Sequence, residues 1–357
     1  MNQNRDQADP VGDFKFPKPN DEKENQNDFV SEFEKVIFPF NEFEKFSTPP
    51  RVPVLGSWFN EGSYHIIHAK RGVGKTWLTL NMAQSIAEGK ACGPWPCSNP
   101  RLVLYVDGEM PGASMKERYN GLRLDESHES GKNIFYLTHE RPLPKALGRR
   151  LDLKQKSAQE GILGFCLKNK IKVVFLDNLS CLFRGIREND ADDWDNVADW
   201  ILDFKEHGIA VVLVLHSNRS GNDPRGTSRR EDDASSIIKL RETNEDHLGE
   251  GEGAQFITIF TKNREGSKDE TSDRVWRYET FGNKTKVTTK RLGKMDIFLQ
   301  YLDMPEFDTC KAIAEAMEVT QVEVSRLATK AEKGDPPLVK KEGTGRGTKY
   351  RRIKYLQ

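Results

Sequence analysis

Cysteine is scarce in this chain: five residues among 357, at positions 92, 97, 166, 181 and 310. The number is odd and the spacing irregular, which argues against a disulfide framework and for reduced thiols in a cytoplasmic protein. Cys92 and Cys97 flank Gly-Pro-Trp-Pro, but no histidine or second cysteine pair joins them to complete a zinc site. No apolar run reaches the roughly eighteen residues of a membrane span, so no membrane partner is expected. The N-terminus is polar and acidic, so no secretory signal is expected either. No internal repeat is visible. Net charge is also missing, with 55 Lys and Arg against 55 Asp and Glu.

The charge balance hides an asymmetry. Residues Met1 to Pro50 carry eleven acidic and six basic side chains, a net of −5, whereas Ala328 to Gln357 carry three acidic and nine basic, a net of +6. The basic end is the part suited to nucleic acid. The pattern divides the chain into three expected domains. Residues 1–50 form an acidic arm with a short amphipathic helix, marked by Phe29, Phe33, Val36, Ile37 and Phe40 at helical spacing. That apolar stripe is expected to dock on a neighbour or to pack on its own core. Residues 51–288 form an α/β core, a RecA-like P-loop fold with a mostly parallel sheet. Apolar runs such as YHIIH, LVLYV, VVFL and IAVVLVL do not alternate, as expected of strands buried on both faces, and helical segments separate them. Residues 289–357 form a small winged-helix-like domain of three helices and a basic hairpin with a GTGRG tip.

The strongest local signal is Ala69-Lys70-Arg71-Gly72-Val73-Gly74-Lys75-Thr76, between a strand and a helix that opens at Trp77. A loop of this kind surrounds phosphates with backbone N–H groups at a helix N-terminus, so residues 69–77 are the expected ATP-binding segment. Lys75 is expected to reach the β and γ phosphates, and Thr76 to ligate Mg²⁺. Ala69 stands where the usual pattern has its first glycine, which is tolerable if that residue keeps a negative φ. Two further strands end in acids. Asp177 closes VVFLD and fits the residue that holds Mg²⁺ through water. VDGEM offers Asp107 and Glu109, either of which could orient the attacking water.

The order of these motifs resembles the RecA-type ATPase core of hexameric helicases, of both the replicative DnaB kind and the plasmid RepA kind, and within that superfamily the AAA_25 group. The resemblance runs over roughly residues 52–280. It selects Glu109 over Asp107, because VLYVDGEM is similar to the helicase strand ending in Leu-Glu-Met, whose glutamate is the catalytic base. VVLVLHSNRS implies that His216 senses the γ-phosphate. FTKNREG is similar to Lys-Gln-Arg-Asn-Gly, which implies that Lys262 and Arg264 act in the next subunit's active site. The segment Arg225 to Ser235 lies where the family has its central single-strand-binding loop, which implicates Arg225, Arg229 and Arg230.

Two functions follow. One is an ATP-driven homohexameric ring that moves on single-stranded DNA, a RepA-like replicative helicase of a mobile element. The other is an ATP-gated initiator or regulator that binds duplex DNA through its C-terminal domain without separating strands. In both, Lys340, Lys341, Arg346, Lys349 and Arg351 are the expected DNA contacts of the hairpin.

Overall fold

The structure is a computed structural model and describes residues 25–45, 50–97, 99–123, 130–140, 151–185, 191–218, 229–243, 252–304, 306–317, 319–343 and 348–353. Chain contacts divide it into residues 1–50 and residues 51–357. In the first unit, α1 (Asn25–Glu34) exposes Phe29 and Phe33, α2 (Phe40–Phe43) exposes Phe40, and Val36 and Ile37 are exposed between them. The expected amphipathic segment is thus two helices, the first ending at Glu34 and the second opening after its N-cap residue Pro39.

The second unit begins with a small pair, β1 (Pro53–Leu55) and β2 (Phe59–Asn60). The main sheet follows: β3 (Tyr64–Ala69), β4 (Val103–Asp107), β5 (Ile134–Thr138), β6 (Val173–Asp177), β7 (Ala210–His216), β8 (Ser236–Glu242), β9 (Glu252–Asn263), β10 (Arg274–Phe281) and β11 (Lys284–Arg291). Their spatial order is β11-β10-β9-β8-β3-β7-β6-β4-β5. Strands β8, β3, β7, β6, β4 and β5 run parallel, and β8 to β11 form an antiparallel meander. Every residue of β3, β4, β6 and β7 is buried, which is why their sequences are continuously apolar rather than alternating. The α/β, mostly parallel P-loop architecture read from the sequence is therefore present. Sequence patterning did not bring out the β10–β11 hairpin, and β11 runs through the boundary expected at 288/289.

Helices cover both faces. α3 (Lys75–Glu88) and α4 (Gly112–Leu122) pack on one face through Leu78, Met82, Ile86 and Met115. α5 (Lys156–Lys168), the single turn α6 (Leu179–Leu182) and α7 (Ala191–Glu206) pack on the other, through Ile162, Leu182, Trp194 and Trp200. A short helix, α8 (Arg229–Asp232), leads into β8. After β11 come α9 (Lys294–Leu302), α10 (Cys310–Ala316), α11 (Gln321–Glu332) and a hairpin of β12 (Val339–Glu342) and β13 (Lys349–Arg352), which share a separate apolar core around Phe298, Ile313, Val324 and Tyr350. α11 is capped by Thr320, whose Oγ1 accepts from the Glu323 N–H at 3.2 Å.

Candidate functional site

The chain leaves β3 for β4 by skipping two positions in the sheet, so the carboxyl ends of β3, β7, β6 and β4 meet around one crevice. That is where an open parallel sheet places ligands. The phosphate loop closes one side of it. Gly72 and Gly74 have φ of 82° and 124°, conformations that a side chain would strain. Gly74 is doubly constrained, because a Cβ there would stand 2.6 Å from the Phe256 ring. Around Gly72 such a Cβ would meet nothing within 4 Å, so the loop opens to free space where a phosphate group would sit. Gly74, the N-cap residue of α3, has no side chain to cap it, so the first N–H groups of the helix are left for a ligand. Ala69 is buried and has no positive φ: among the described residues the only non-glycine with one is Lys170. Its methyl group is accommodated on the expected condition.

Lys75 is 7% exposed. Its ammonium donates to the carbonyls of Ala69 at 3.1 Å and Lys70 at 3.0 Å, and lies 3.2 Å from His216 Nδ1 at the end of β7. Burial presses Lys75 toward its neutral form, and the Asp177 and Glu109 carboxylates oppose that shift. Lys70 and Arg71 are exposed, and Val73 is buried. The Trp77 ring lies in the core, 5.7 Å from the Tyr278 ring and under the Arg118 guanidinium, so its side chain packs and only its backbone faces the loop.

Two acids approach the loop. Thr76 Oγ1 donates to Asp177 Oδ2 at 3.0 Å, and the Tyr105 hydroxyl donates to the same oxygen at 2.7 Å. Burial pushes the Asp177 carboxyl up, so an adjacent cation would favour its ionised form. A hydroxyl and a carboxylate at hydrogen-bond distance are hard oxygen donors of the kind Mg²⁺ takes, with water completing its shell, and the pair fits that ion. Among the described residues no group of three or more His, Cys, Asp or Glu could hold a metal.

Asp107 and Glu109 separate by environment. Asp107 is 1% exposed and accepts the backbone N–H groups of Glu109 and Met110 at 3.1–3.3 Å, closing the turn. Burial and then the neighbouring Asp177 push its carboxyl up to about 7. Glu109 is exposed at the crevice mouth and accepts from Asn178 Nδ2. Asp107 is occupied as a turn acid, while Glu109 is the one presented to solvent. Asn178, Tyr105 and Arg118 are site neighbours that the motif reading passed over. The signals were present: Asn178 follows the strand-end acid directly, and Tyr105 is the one polar-tipped residue before the acid in LVLYV.

The remaining expected residues lie elsewhere. Lys262 stands opposite Ile237 of β8, which pairs with Ile66 near the start of β3. The P-loop follows the other end of β3, about 10 Å along the strands and about 10 Å across two strand spacings. Lys262 and the exposed Arg264 therefore do not join their own subunit's phosphate loop. Their side chains donate to the backbone of α8 instead.

Arg230 is a correction. It was expected on a DNA-facing loop, but it is 1% exposed, with its guanidinium 5.1 Å from the Trp194 ring centroid, and so is withdrawn from a nucleic-acid surface. Arg225 and the Arg229 side chain lie outside the described residues, as does Arg346. In the hairpin, Lys340 is exposed. Lys341 binds Thr329 Oγ1 at 2.8 Å and Glu332 at 3.4 Å, Lys349 binds Asp308 at 2.5 Å, and Arg351 binds Glu342 at 3.0 Å. Much of the basic charge counted in the sequence is thus matched locally by carboxylates. All five cysteines are free. Among the described residues no helix is long and apolar enough to cross a membrane.

The AAA_25 family, described as an AAA domain, matches residues 30–222. No curated protein matches the chain. Among solved structures, the flagellar accessory protein FlaH from Methanocaldococcus jannaschii is similar at 15% identity, covering 65% of this chain and 91% of that one, with a TM-score of 0.43.

Proposed function

The chain belongs to the AAA_25 family of ATPases, and from that premise we propose that it is a Mg²⁺-dependent ATPase working as a homohexameric ring on DNA, a RepA-like replicative helicase of a mobile element. The observation that carries the ATPase reading is the convergence of Lys75, His216, Thr76, Asp177 and Glu109 at the carboxyl ends of four neighbouring parallel strands.

In this reading the loop amides and Lys75 bind the β and γ phosphates, and His216 stands where the γ-phosphate would be sensed. Mg²⁺ held by Thr76 and Asp177 would neutralise phosphate charge. Glu109, steadied by Asn178, orients water and takes its proton as the terminal phosphoryl group leaves ADP. Hydrolysis needs such a group because unpositioned water attacks slowly. The ring is supported by Lys262 and Arg264, which lie too far from their own phosphate loop to serve it. In trans they would stabilise charge on the transferring group.

The three-helix and hairpin module after β11 favours a second reading, in which this winged-helix-like domain binds duplex DNA and ATP gates assembly. Strand displacement from a forked DNA substrate separates the two. The helicase reading expects ATP-dependent displacement that is lost in Lys75→Ala. ATP hydrolysis with duplex binding but no displacement would favour the switch.

A further inference from the structure

A bulge in β9 decides which way Lys262 faces. Ile238 pairs with Phe260 and Ile237 with Lys262, leaving Thr261 unmatched. In a regular strand Lys262 would share a face with Phe260, whose ring packs against Trp58 and Trp95. The extra residue turns it to the face of Ile237, where the core built on α6 and α7 lies. There the Lys262 ammonium donates to the carbonyl oxygens of Glu231 and Asp232, the latter at 3.0 Å. Arg264 Nη2 donates to the same Asp232 oxygen at 2.5 Å. These are carbonyls at the end of α8, a single turn with no helix continuing beyond it. The backbone repeats the link: Ala234 N–H donates to Glu231 O at 3.2 Å, and Arg264 N–H to Ser235 O at 3.0 Å.

We propose that Lys262 and Arg264 form a latch on α8, closed by its carbonyls in the free subunit and opened when the terminal phosphate of a nucleotide bound by a second copy takes the same two cations. The opening half rests on the ring reading above. The competition favours phosphate. A carbonyl offers a partial charge, whereas a terminal phosphate offers full anionic oxygens that a planar guanidinium grips in pairs. In the closed state, burial and the adjacent Arg264 press the Lys262 ammonium toward neutrality, a cost that an arriving anion relieves. α8 belongs to the 225–235 segment assigned above to single-stranded DNA. The latch therefore provides a physical route from nucleotide in one subunit to the position of α8 in the next, through the same two side chains.

Hydrogen exchange at the Ala234 amide, which donates to Glu231 O of α8, reads the latch, with the β7 amides reporting global stability. In nucleotide-free protein, Lys262→Ala with Arg264→Ala should exchange about tenfold or more faster at Ala234 while β7 is unchanged. Arg264→Lys, which keeps a cation, should stay much closer to wild type. Assembled wild-type protein given a non-hydrolysable ATP analogue with Mg²⁺ should show the same local acceleration, and Lys75→Ala should not. Wild-type exchange in the nucleotide-free double variant would overturn the closed latch. Unchanged exchange in wild-type particles shown to be assembled and loaded would overturn its opening. A chain that never assembles overturns the ring reading and the opening with it, while the variants still report on the closed half.

Discussion

The Thr76 hydroxyl lies 3.0 Å from Asp177 Oδ2, joining the first turn of α3 to the end of β6 across 101 residues of sequence. Each group was recognisable alone, and their contact is what would let the two hold a divalent cation together. Asp177→Asn should therefore leave nucleotide affinity without Mg²⁺ nearly unchanged and remove the gain that Mg²⁺ supplies. Titration of a fluorescent ATP analogue with and without the metal checks this. An equal loss in both conditions would make Asp177 a structural acid.

Glu109 and Asp107 give opposite expectations. Glu109→Gln should bind ATP and lose about 10²–10⁴-fold in turnover, the usual worth of a positioned base. Asp107→Asn keeps an acceptor for the turn amides and removes a carboxyl that burial disfavours in its charged form, so turnover should fall far less. Single-turnover hydrolysis of both variants decides between the two acids.

Lys262 and Arg264 can be tested for action across an interface by mixing. Arg264→Ala subunits keep their phosphate loop, and Lys75→Ala subunits keep their cations. In mixed particles an intact loop meets an intact Arg264, and ATPase activity should partly recover. The cation is worth about 10³–10⁵ in rate for arginine fingers, so even a small recovered fraction is measurable. Mixed oligomers that stay inactive would return Arg264 to a role within its own chain.

His65 lies on β3 between Ser63 Oγ at 2.5 Å and Ser236 Oγ at 2.7 Å, and burial lowers its pKa from 6.5 to about 3. The folded chain holds it neutral while the unfolded chain protonates it below 6.5. Stability is thus intact above that pH and is lost as pH falls toward 3. The expected loss from this group is about 2 kcal/mol between pH 6.5 and 5. Denaturant unfolding at the two pH values should show a smaller acid loss in His65→Asn than in wild type. An identical pH dependence would mean the imidazole is not the group being protonated.

The local features were legible in the sequence because their causes are local. Gly72 and Gly74 with Lys75 and Thr76 need only a strand before and a helix after, and buried parallel strands announce themselves as unbroken apolar runs. Asp177 and Glu109 were readable as acids at or just after strand ends. Three things depended on contacts distant in sequence. Asp107 and Glu109 are two residues apart, but only the fold buries one in a turn and turns the other toward Asn178. Arg230 reads as a surface arginine until α7 brings Trp194 beneath it. The face of Lys262 hangs on one unmatched residue, Thr261, and strand period alone would have placed it on the opposite side. Period and motif are properties of a few neighbours, so the sequence determined the phosphate loop, the strands and the candidate acids. Burial, pairing and bulges are sums over elements far apart in the chain, so the tertiary structure decided which of those groups are free to act.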